Sequence, residues 1–153
     1  MAGRLQAEIR QRKPFVSVEE EAYLNLVRTT ELLTRELELQ LQPFGLTSTQ
    51  YNVLRILRGA PEGATCTAIS ERMLAFDPDV TRLLDRLERV QLVQRARSTT
   101  DRRVVLTTIT TAGLDLLEKL DEPLRNLLRQ QFKGISRERM TRLIAELEEI
   151  RAR

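Results

Sequence analysis

The spacing of apolar residues along this chain changes twice, and this pattern constrains the fold more than any other feature. From Val18 to Val90 apolar side chains recur every three or four positions, which is typical of amphipathic helices. From Leu92 to Ile109 they alternate with polar residues, and Val and Thr become frequent, as in short β-strands. After Thr110 the helical spacing returns, and we expect Thr110 and Ser136 to cap the two helices that follow. The sequence therefore predicts a mainly α fold with one small β-hairpin.

The composition favours one globular domain and argues against an enzyme. The chain has 153 residues, 41% hydrophobic and 31% charged, as in ordinary globular domains. It has no His and a single cysteine, Cys66, which excludes histidine-based acid–base catalysis and an internal disulfide. No glycine-rich phosphate loop or pair of catalytic carboxylates is evident. We therefore expect no catalytic residues, no cofactor and no metal, with Cys66 as a buried structural thiol.

No segment predicts export or membrane insertion. The first residues lack an apolar signal core, and the longest apolar run is the four residues from Met73 to Phe76. A membrane-spanning helix needs about 18 such residues. These features predict a cytoplasmic protein.

Helix start and stop signals divide the first ninety residues. A long helix is expected from Val18 until Pro43 stops it. Thr47 and Gln50 fit a capping box that opens a second helix. A brief third helix is expected from Thr67 to about Leu74.

The best-marked helix start lies at Asp77, with Asp at the N-cap and Pro78 in the first turn. This fourth helix is expected to run to about Val90. Its buried stripe is Val80, Leu83, Leu84 and Leu87. A step of about 100° per residue then turns other side chains outward. The outward residues that could read DNA are Thr81, Arg82 and Arg86.

The predicted hairpin joins a strand over Leu92–Ser98 to one over Arg103–Ile109 and has a basic tip. Arginine supplies most of the positive charge of the chain, with 22 Arg against 3 Lys and a formal net charge of +3. Arginine suits phosphates and guanine edges. Within residues 95–103 four arginines accompany one acid: Arg95, Arg97, Arg102 and Arg103 with Asp101.

Helices followed by a basic hairpin form the element order of a winged helix-turn-helix. The helix from Pro78 would enter the major groove of DNA, and the hairpin would lie along an adjacent minor groove. We expect Arg97, Arg102 and Arg103 to contact DNA, with Asp101 fixing a neighbouring guanidinium. Asp85 is expected to hold Arg82 or Arg89.

Four stretches of this order resemble the MarR family of bacterial transcription regulators. They are Leu46–Leu54 (LTSTQYNVL), Asp77–Glu88 (DPDVTRLLDRLE), Leu92–Arg95 (LVQR), and Asp101–Arg103 continuing to Gly113 through TTAG. The resemblance implies a homodimer, usually a repressor, on double-stranded DNA at a pseudo-palindromic operator, often released by a small phenolic or anionic effector. It places Thr81, Arg82 and Arg86 on the groove-facing helix. It also places Arg103 in the minor groove, supported by Asp101.

Two residues depart from the family pattern. Gln91 stands where the family commonly has Gly, which costs up to about 1–2 kcal/mol if the site needs a left-handed backbone. Asp79 replaces a frequent small hydroxyl residue. It would repel phosphate and suppress non-specific affinity.

The last two helices carry apolar stripes of coiled-coil type. We expect them to form a two-fold dimer interface, although packing within one chain is the alternative. The interface residues are Leu117, Leu120, Leu124, Leu127, Leu143, Leu147 and Ile150. Pro123 should kink or restart the first of these helices.

A ligand site is expected where the dimer helices meet the DNA-binding part. The candidates are Tyr23, Leu26, Tyr51 and Arg55, which no spacing argument singles out. The predicted organisation is one domain over residues 1–153, with a winged helix-turn-helix lobe at 43–110 and a dimerisation region at 18–42 and 111–153. The alternative function is a winged-helix protein–protein interaction module without DNA binding.

Overall fold

The computed structural model describes residues 3–152, so residues 1, 2 and 153 of the predicted domain lie outside it. Within that range the chain forms seven α-helices, two β-strands and a 3-10 turn at Gln42–Phe44. The elements are α1 (Arg4–Glu8), α2 (Val18–Leu41), α3 (Ser48–Arg58), α4 (Cys66–Arg72), α5 (Val80–Arg89), β1 (Val93–Arg97), β2 (Val105–Ile109), α6 (Thr111–Gln131) and α7 (Arg137–Arg151). This order confirms a mainly helical winged helix-turn-helix fold.

Polar side chains cap the helix starts, as the sequence predicts for Thr47, Thr110 and Ser136. Each accepts a hydrogen bond from the backbone N–H three residues on. Thr47 and Gln50 form the full capping box, because the Gln50 side chain also accepts from the Thr47 N–H at 3.0 Å.

Two predicted caps are wrong by two residues. Thr65, not Thr67, caps α4, and Asp79, not Asp77, caps α5. Asp77 instead accepts from the Asp79 N–H at 2.8 Å, which organises the turn before the helix. In each case two suitable cap residues stand two positions apart, and the packing of the surrounding residues determines which of them caps the helix.

The core lies between α3, α4, α5, α6 and the base of the hairpin, and the end of α2 adds Leu41. Its fully buried members include Leu54, Leu57, Ile69 and Leu87. The predicted stripe of α5 is confirmed, since Val80, Leu83, Leu84 and Leu87 are all at most 6% exposed. The core holds the outward face of α5 in a fixed orientation.

The hairpin is an antiparallel pair in which Val93 lies opposite Ile109 and Arg97 opposite Val105. Ala64, just before α4, adds an isolated bridge to Thr107 of β2. These two residues exchange two backbone hydrogen bonds of 2.9 Å each. The hairpin base is therefore attached to the helical part on its β2 edge.

The part of the predicted dimer interface that lies on α6 is packed inside one chain instead. It packs on α2 and α3, which cover its leucine stripe with the chain's own core. Leu117 and Leu120 are 0% exposed and Leu124 is 5% exposed. Leu127 is partly buried against the same cluster. These four side chains therefore pack within one chain, the alternative reading of the stripe.

The helix α6 also continues through Pro123 without restarting. An interior proline removes one backbone hydrogen bond, and Leu120 and Leu124 beside it are anchored in the core. That burial offsets the lost bond.

Gln91, at the exit of α5, has a left-handed backbone with a φ of 60°. This is the conformation in which a residue other than glycine is strained. The Gln91 carbonyl accepts a hydrogen bond from the Thr110 hydroxyl at 2.7 Å. A side chain at Gly113 would clash with the Leu92 carbonyl oxygen, so only glycine allows α6 to begin this close to β1.

Near the N-terminus, α1 buries Leu5 to 3% exposure. Within residues 3–152, no helix has the length and apolar character that crossing a bilayer requires.

Candidate nucleic-acid interface

The outward face of α5 carries the three residues predicted to read DNA. Thr81, Arg82 and Arg86 are exposed. Arg82 lies over the cap of its own helix: its Nε is 3.4 Å from Asp79 Oδ2, while its N–H donates to Asp79 Oδ1 at 3.0 Å. The carboxylate of the cap residue Asp79 therefore holds the Arg82 side chain at the first turn of α5.

The predicted partner of Asp85 is wrong. Asp85 pairs with neither Arg82 nor Arg89 but with Arg95 of β1, whose Nη2 lies 2.6 Å from Asp85 Oδ1. The same guanidinium binds Glu88 through Nε at 2.9 Å and Nη2 at 2.6 Å. Asp85 therefore pairs with an arginine of the neighbouring strand rather than with an arginine of its own helix.

The wing tip, from Ser98 to Val104, is a turn built on its own backbone. The Ser98 N–H donates to the Val104 carbonyl at 2.8 Å, and the Val104 N–H donates to the Asp101 carbonyl at 3.0 Å. Arg97 Nη1 donates to the Arg102 carbonyl at 3.1 Å. The tip is therefore preorganised without help from the ends of Arg102 and Arg103.

Asp101 supports the tip differently from the expectation. Its carboxylate accepts from the backbone N–H of Arg103 at 3.0 Å and, among residues 3–152, pairs with no guanidinium. This geometry orders the chain that carries Arg103 rather than the Arg103 side chain.

The structure separates the basic residues of this region into paired and unpaired groups. Arg95 is ion-paired, so the hairpin offers less free positive charge than the sequence indicates. Among residues 3–152, five exposed arginines of α5 and the hairpin form no ion pair within 4.0 Å: Arg86, Arg89, Arg97, Arg102 and Arg103. Unpaired guanidinium groups remain available to a polyanion.

A cavity of about 190 Å³ lies between α2, α3 and the loop before α5. It includes Tyr51 and Arg55 of the predicted ligand residues, with the Arg55 guanidinium 5.8 Å from the centre of the Tyr51 ring. Burial raises the pKa of the Tyr51 hydroxyl, and the positive charge of Arg55 opposes part of that increase. The cavity therefore joins an aromatic surface to a cation.

Tyr23 and Leu26 do not line this cavity. Helix α2 reaches it with Thr34 and Leu37, and Leu26 lies eight positions before Thr34, about 12 Å along the helix axis. Sequence reasoning also missed the polar lining that includes Ser48 and Asn52. Asn52 accepts from the Leu74 N–H at 2.8 Å, a contact between distant segments that no local pattern signals.

Cys66 is half-buried rather than buried. Its Sγ lies 3.7 Å from the Thr81 hydroxyl oxygen, so the thiol packs between α4 and α5. Within the described residues no group of three carboxylate or thiol side chains could hold a metal ion.

Three helices followed by a strand pair with an arginine tip define a DNA-binding protein of the winged helix-turn-helix class. A sequence profile of the MarR family matches residues 46–105. The repressor IacR of Pseudomonas putida is 31% identical over 123 residues, which cover 80% of this chain and 73% of that protein. The chain belongs to the MarR family of transcriptional regulators, which are not enzymes.

Solved structures agree with this assignment. A MarR transcription factor from Planctomyces limnophilus is 38% identical, with a TM-score of 0.67 over 88% of this chain and 98% of that one. BpsR of Bordetella bronchiseptica, described as regulated in DNA binding by 6-hydroxynicotinic acid, has a TM-score of 0.75 over 86% of this chain and 98% of that one. At 21% identity BpsR shows the shared fold alone.

Proposed function

We propose that this regulator binds a pseudo-palindromic operator as a homodimer and represses transcription until a small aromatic acid binds. The observation that carries the proposal is the wing tip, whose exposed Arg102 and Arg103 form no ion pair in the described chain. An arginine on an ordered hairpin can enter a narrow minor groove, where the negative potential is strongest.

The recognition residues on α5 complete the contact. Thr81 and Arg86 are exposed on a helix whose opposite face is fixed in the core. Such a helix fits the major groove, where arginine and hydroxyl side chains reach base edges and phosphates. In this proposal residues 43–110 are the DNA-binding lobe, and residues 18–42 and 111–153 hold the two copies together.

The second copy would cover the apolar residues of α7, none of which is buried within the described chain. Leu143 is 40% exposed and Ile150 is 55% exposed, and both lie on the stripe that includes Leu147. Tyr23 and Val27 of α2 add exposed apolar surface, at 65% and 50%. A two-fold axis would place two α5 helices about 34–36 Å apart, one turn of DNA.

The names of two related proteins support the proposed repression and effector release. IacR is named as a repressor, and an aromatic acid regulates DNA binding by BpsR. The cavity at Tyr51 and Arg55 suits such an acid, because the ring can stack while the guanidinium meets the carboxylate. The effector would act by binding the DNA-incompetent dimer more tightly than the competent one.

The structure weakens the alternative, a protein–protein interaction module that docks through acids on α5. Asp85 and Glu88 are already neutralised by Arg95, and Asp79 caps the helix. The remaining free charge of the region is positive, which favours DNA.

The test is binding to a labelled duplex from the region upstream of the chain's own gene, measured by fluorescence anisotropy at several salt concentrations. We expect strong salt dependence. Arg103→Ala should weaken binding about tenfold, or about 1.4 kcal/mol, and leave the dimer intact. Arg125→Ala on α6 is the matched control and should bind like the unaltered protein. Added 6-hydroxynicotinic acid should release the duplex, and Arg55→Met should reduce that response.

Three results would contradict parts of the proposal. Equal affinity of Arg103→Ala and the unaltered protein removes the wing from the interface. Binding to no duplex favours the protein-interaction alternative. Release that is unchanged in Arg55→Met places the effector elsewhere.

A further inference from the structure

One side chain ties the recognition helix to the wing. Arg95, in the middle of β1, is half-buried and reaches back to α5. Its Nε and Nη2 donate to Glu88 Oε2 at 2.9 and 2.6 Å, and Nη2 also donates to Asp85 Oδ1 at 2.6 Å. The backbone N–H of Arg95 donates to Glu88 Oε1 at 3.0 Å. We call Arg95, Asp85 and Glu88 the clamp.

We propose that Arg95 is a positioning residue: the clamp sets the placement of the wing against α5, so that wing and helix can occupy adjacent grooves at once. This inference rests on the DNA-binding function proposed above. It assigns Arg95 a role different from that of Arg102 and Arg103, because its guanidinium is turned toward the protein, where it binds Asp85 and Glu88.

The geometry of the clamp is that of a fixed joint. The two carboxylates stand three residues apart on α5, on the same side of the helix. A planar guanidinium offers donors in a rigid fork that can meet both carboxylates together. Both oxygens of Glu88 are engaged, one by the Arg95 backbone and one by its side chain. Several charge-assisted bonds on one residue restrict rotation of β1 relative to α5.

The protonation states agree with a tight ionic contact. Hydrogen bonding from Arg95 lowers the pKa of Glu88, and hydrogen bonding to Glu88 raises the pKa of Arg95. Both groups are therefore charged at neutral pH. Removal of Arg95 would leave Glu88 and Asp85 as two unneutralised acids close to the DNA-facing side of α5.

The wing needs such a joint because it is small. Each strand has only five residues, and a two-stranded sheet is marginal without support from other elements. The β2 edge has its own attachment through Thr107 and Ala64, whereas β1 has Val93 in the core and Arg95 on α5. The tip arginine Arg103 lies beyond both anchors, eight residues after Arg95 and four before Thr107, so a rotation of the hairpin at its base displaces the tip more than the base.

The test uses four variants of the full chain. Arg95→Met keeps the apolar stem and removes all three side-chain bonds of the clamp. Glu88→Ala removes the bonds to that carboxylate, and Asp85→Ala removes a single bond. Arg125→Met is the matched control, because it breaks an exposed ion pair with Glu122 on α6.

Two measurements separate positioning from simple stability. Hydrogen exchange of the protein without DNA compares the exchange rates of backbone amides in the wing with those in α3. Footprints on the operator report the major groove by dimethyl sulfate and the minor groove by hydroxyl radicals. A merely structural role would weaken both footprints together.

We expect Arg95→Met to speed exchange in the wing with α3 unchanged. Its minor-groove protection should disappear while its major-groove protection stays, and affinity should fall about as far as in Arg103→Ala, about tenfold. Glu88→Ala should resemble Arg95→Met, Asp85→Ala should have a smaller effect, and Arg125→Met none.

Unchanged wing exchange and footprints in Arg95→Met would overturn the proposal. If amide exchange in Arg95→Met is faster throughout the protein, the variant is destabilised as a whole and Asp85→Ala becomes the deciding test, because it retains the Arg95–Glu88 pair. Unchanged wing exchange and footprints in Asp85→Ala would then also overturn the proposal. Absence of any footprint with the unaltered protein would instead refute the proposed function, while the exchange data would still show whether the clamp holds the wing.

Discussion

Helices α6 and α7 carry the same apolar spacing but have opposite surroundings. Along α6, Leu117 and Leu120 are 0% exposed and belong to the core of the chain. Along α7 no described residue is buried, and Leu143 and Ile150 are 40% and 55% exposed. The comparison shows that residue spacing identifies the apolar face of a helix but not the surface that covers it.

The start of α6 explains its burial. The Thr110 hydroxyl donates to the Gln91 carbonyl, and Gly113 allows a close approach to the beginning of β1. Farther along, Arg58 of α3 binds both oxygens of Asp121 at 3.0 and 2.9 Å. Helix α7 begins after a left-handed turn at Gly134, and an ion pair between its residues Arg142 and Glu138 lies within the helix.

The largest effect should come from the buried side of this comparison. Leu120→Ala removes a fully buried side chain, so we expect the free energy of unfolding to fall by about 2–5 kcal/mol. Urea denaturation followed by circular dichroism measures the change. The control is Leu128→Ala on the same helix, at 54% exposure, which should cost less than about 1 kcal/mol. Equal costs would mean that α6 is not anchored as described.

The exposed side should respond in assembly rather than in folding. The double variant Leu143→Glu, Ile150→Glu places charges on the stripe of α7 and should weaken the dimer at least about 100-fold, or about 2.7 kcal/mol. Sedimentation velocity at micromolar concentration would show monomers that keep their helical circular dichroism. Ala145→Glu adds the same charge on the opposite face and should remain dimeric. A double variant that stays dimeric would move the interface elsewhere.

The smallest effect should come from the link between α3 and α6. Arg58→Gln removes the ion pair to Asp121, in which both side chains are about one-third exposed. Solvent screening limits its contribution, so we expect a loss of about 0.5–1 kcal/mol in unfolding free energy. Arg125→Gln, in a more exposed pair with Glu122, is the control and should be near neutral. A loss comparable with that of Leu120→Ala would show that ionic contacts, not the apolar stripe, hold α6.

Local signals in the sequence predicted most of the fold. The capping box at Thr47, the cap at Thr110 and the apolar stripe of α5 each depend on residues within one or two turns. The same locality limits the prediction where alternatives are adjacent. Asp77 and Asp79 are both good caps, and choosing between them requires the packing of the preceding loop.

Contacts between distant segments were beyond the sequence. Asp85 has arginines at suitable helical spacings, yet its partner Arg95 comes from the next strand. The cavity at Tyr51 takes its lining from α2, α3 and a loop, which no periodicity connects. The exposed arginines of the wing tip could be predicted, because charged residues at a hairpin turn rarely have a packing role.

The bridge between Ala64 and Thr107 has a mechanical consequence. It joins the loop before α4 to β2 through paired backbone bonds, while side chains of α5 hold β1. The hairpin is thus attached to the helix-turn-helix through both of its strands, and we expect the two to move together as one rigid body. In the proposed dimer, a signal that changes the distance between the DNA-binding parts of the two copies would have to bend each copy outside them, in α2 or α6.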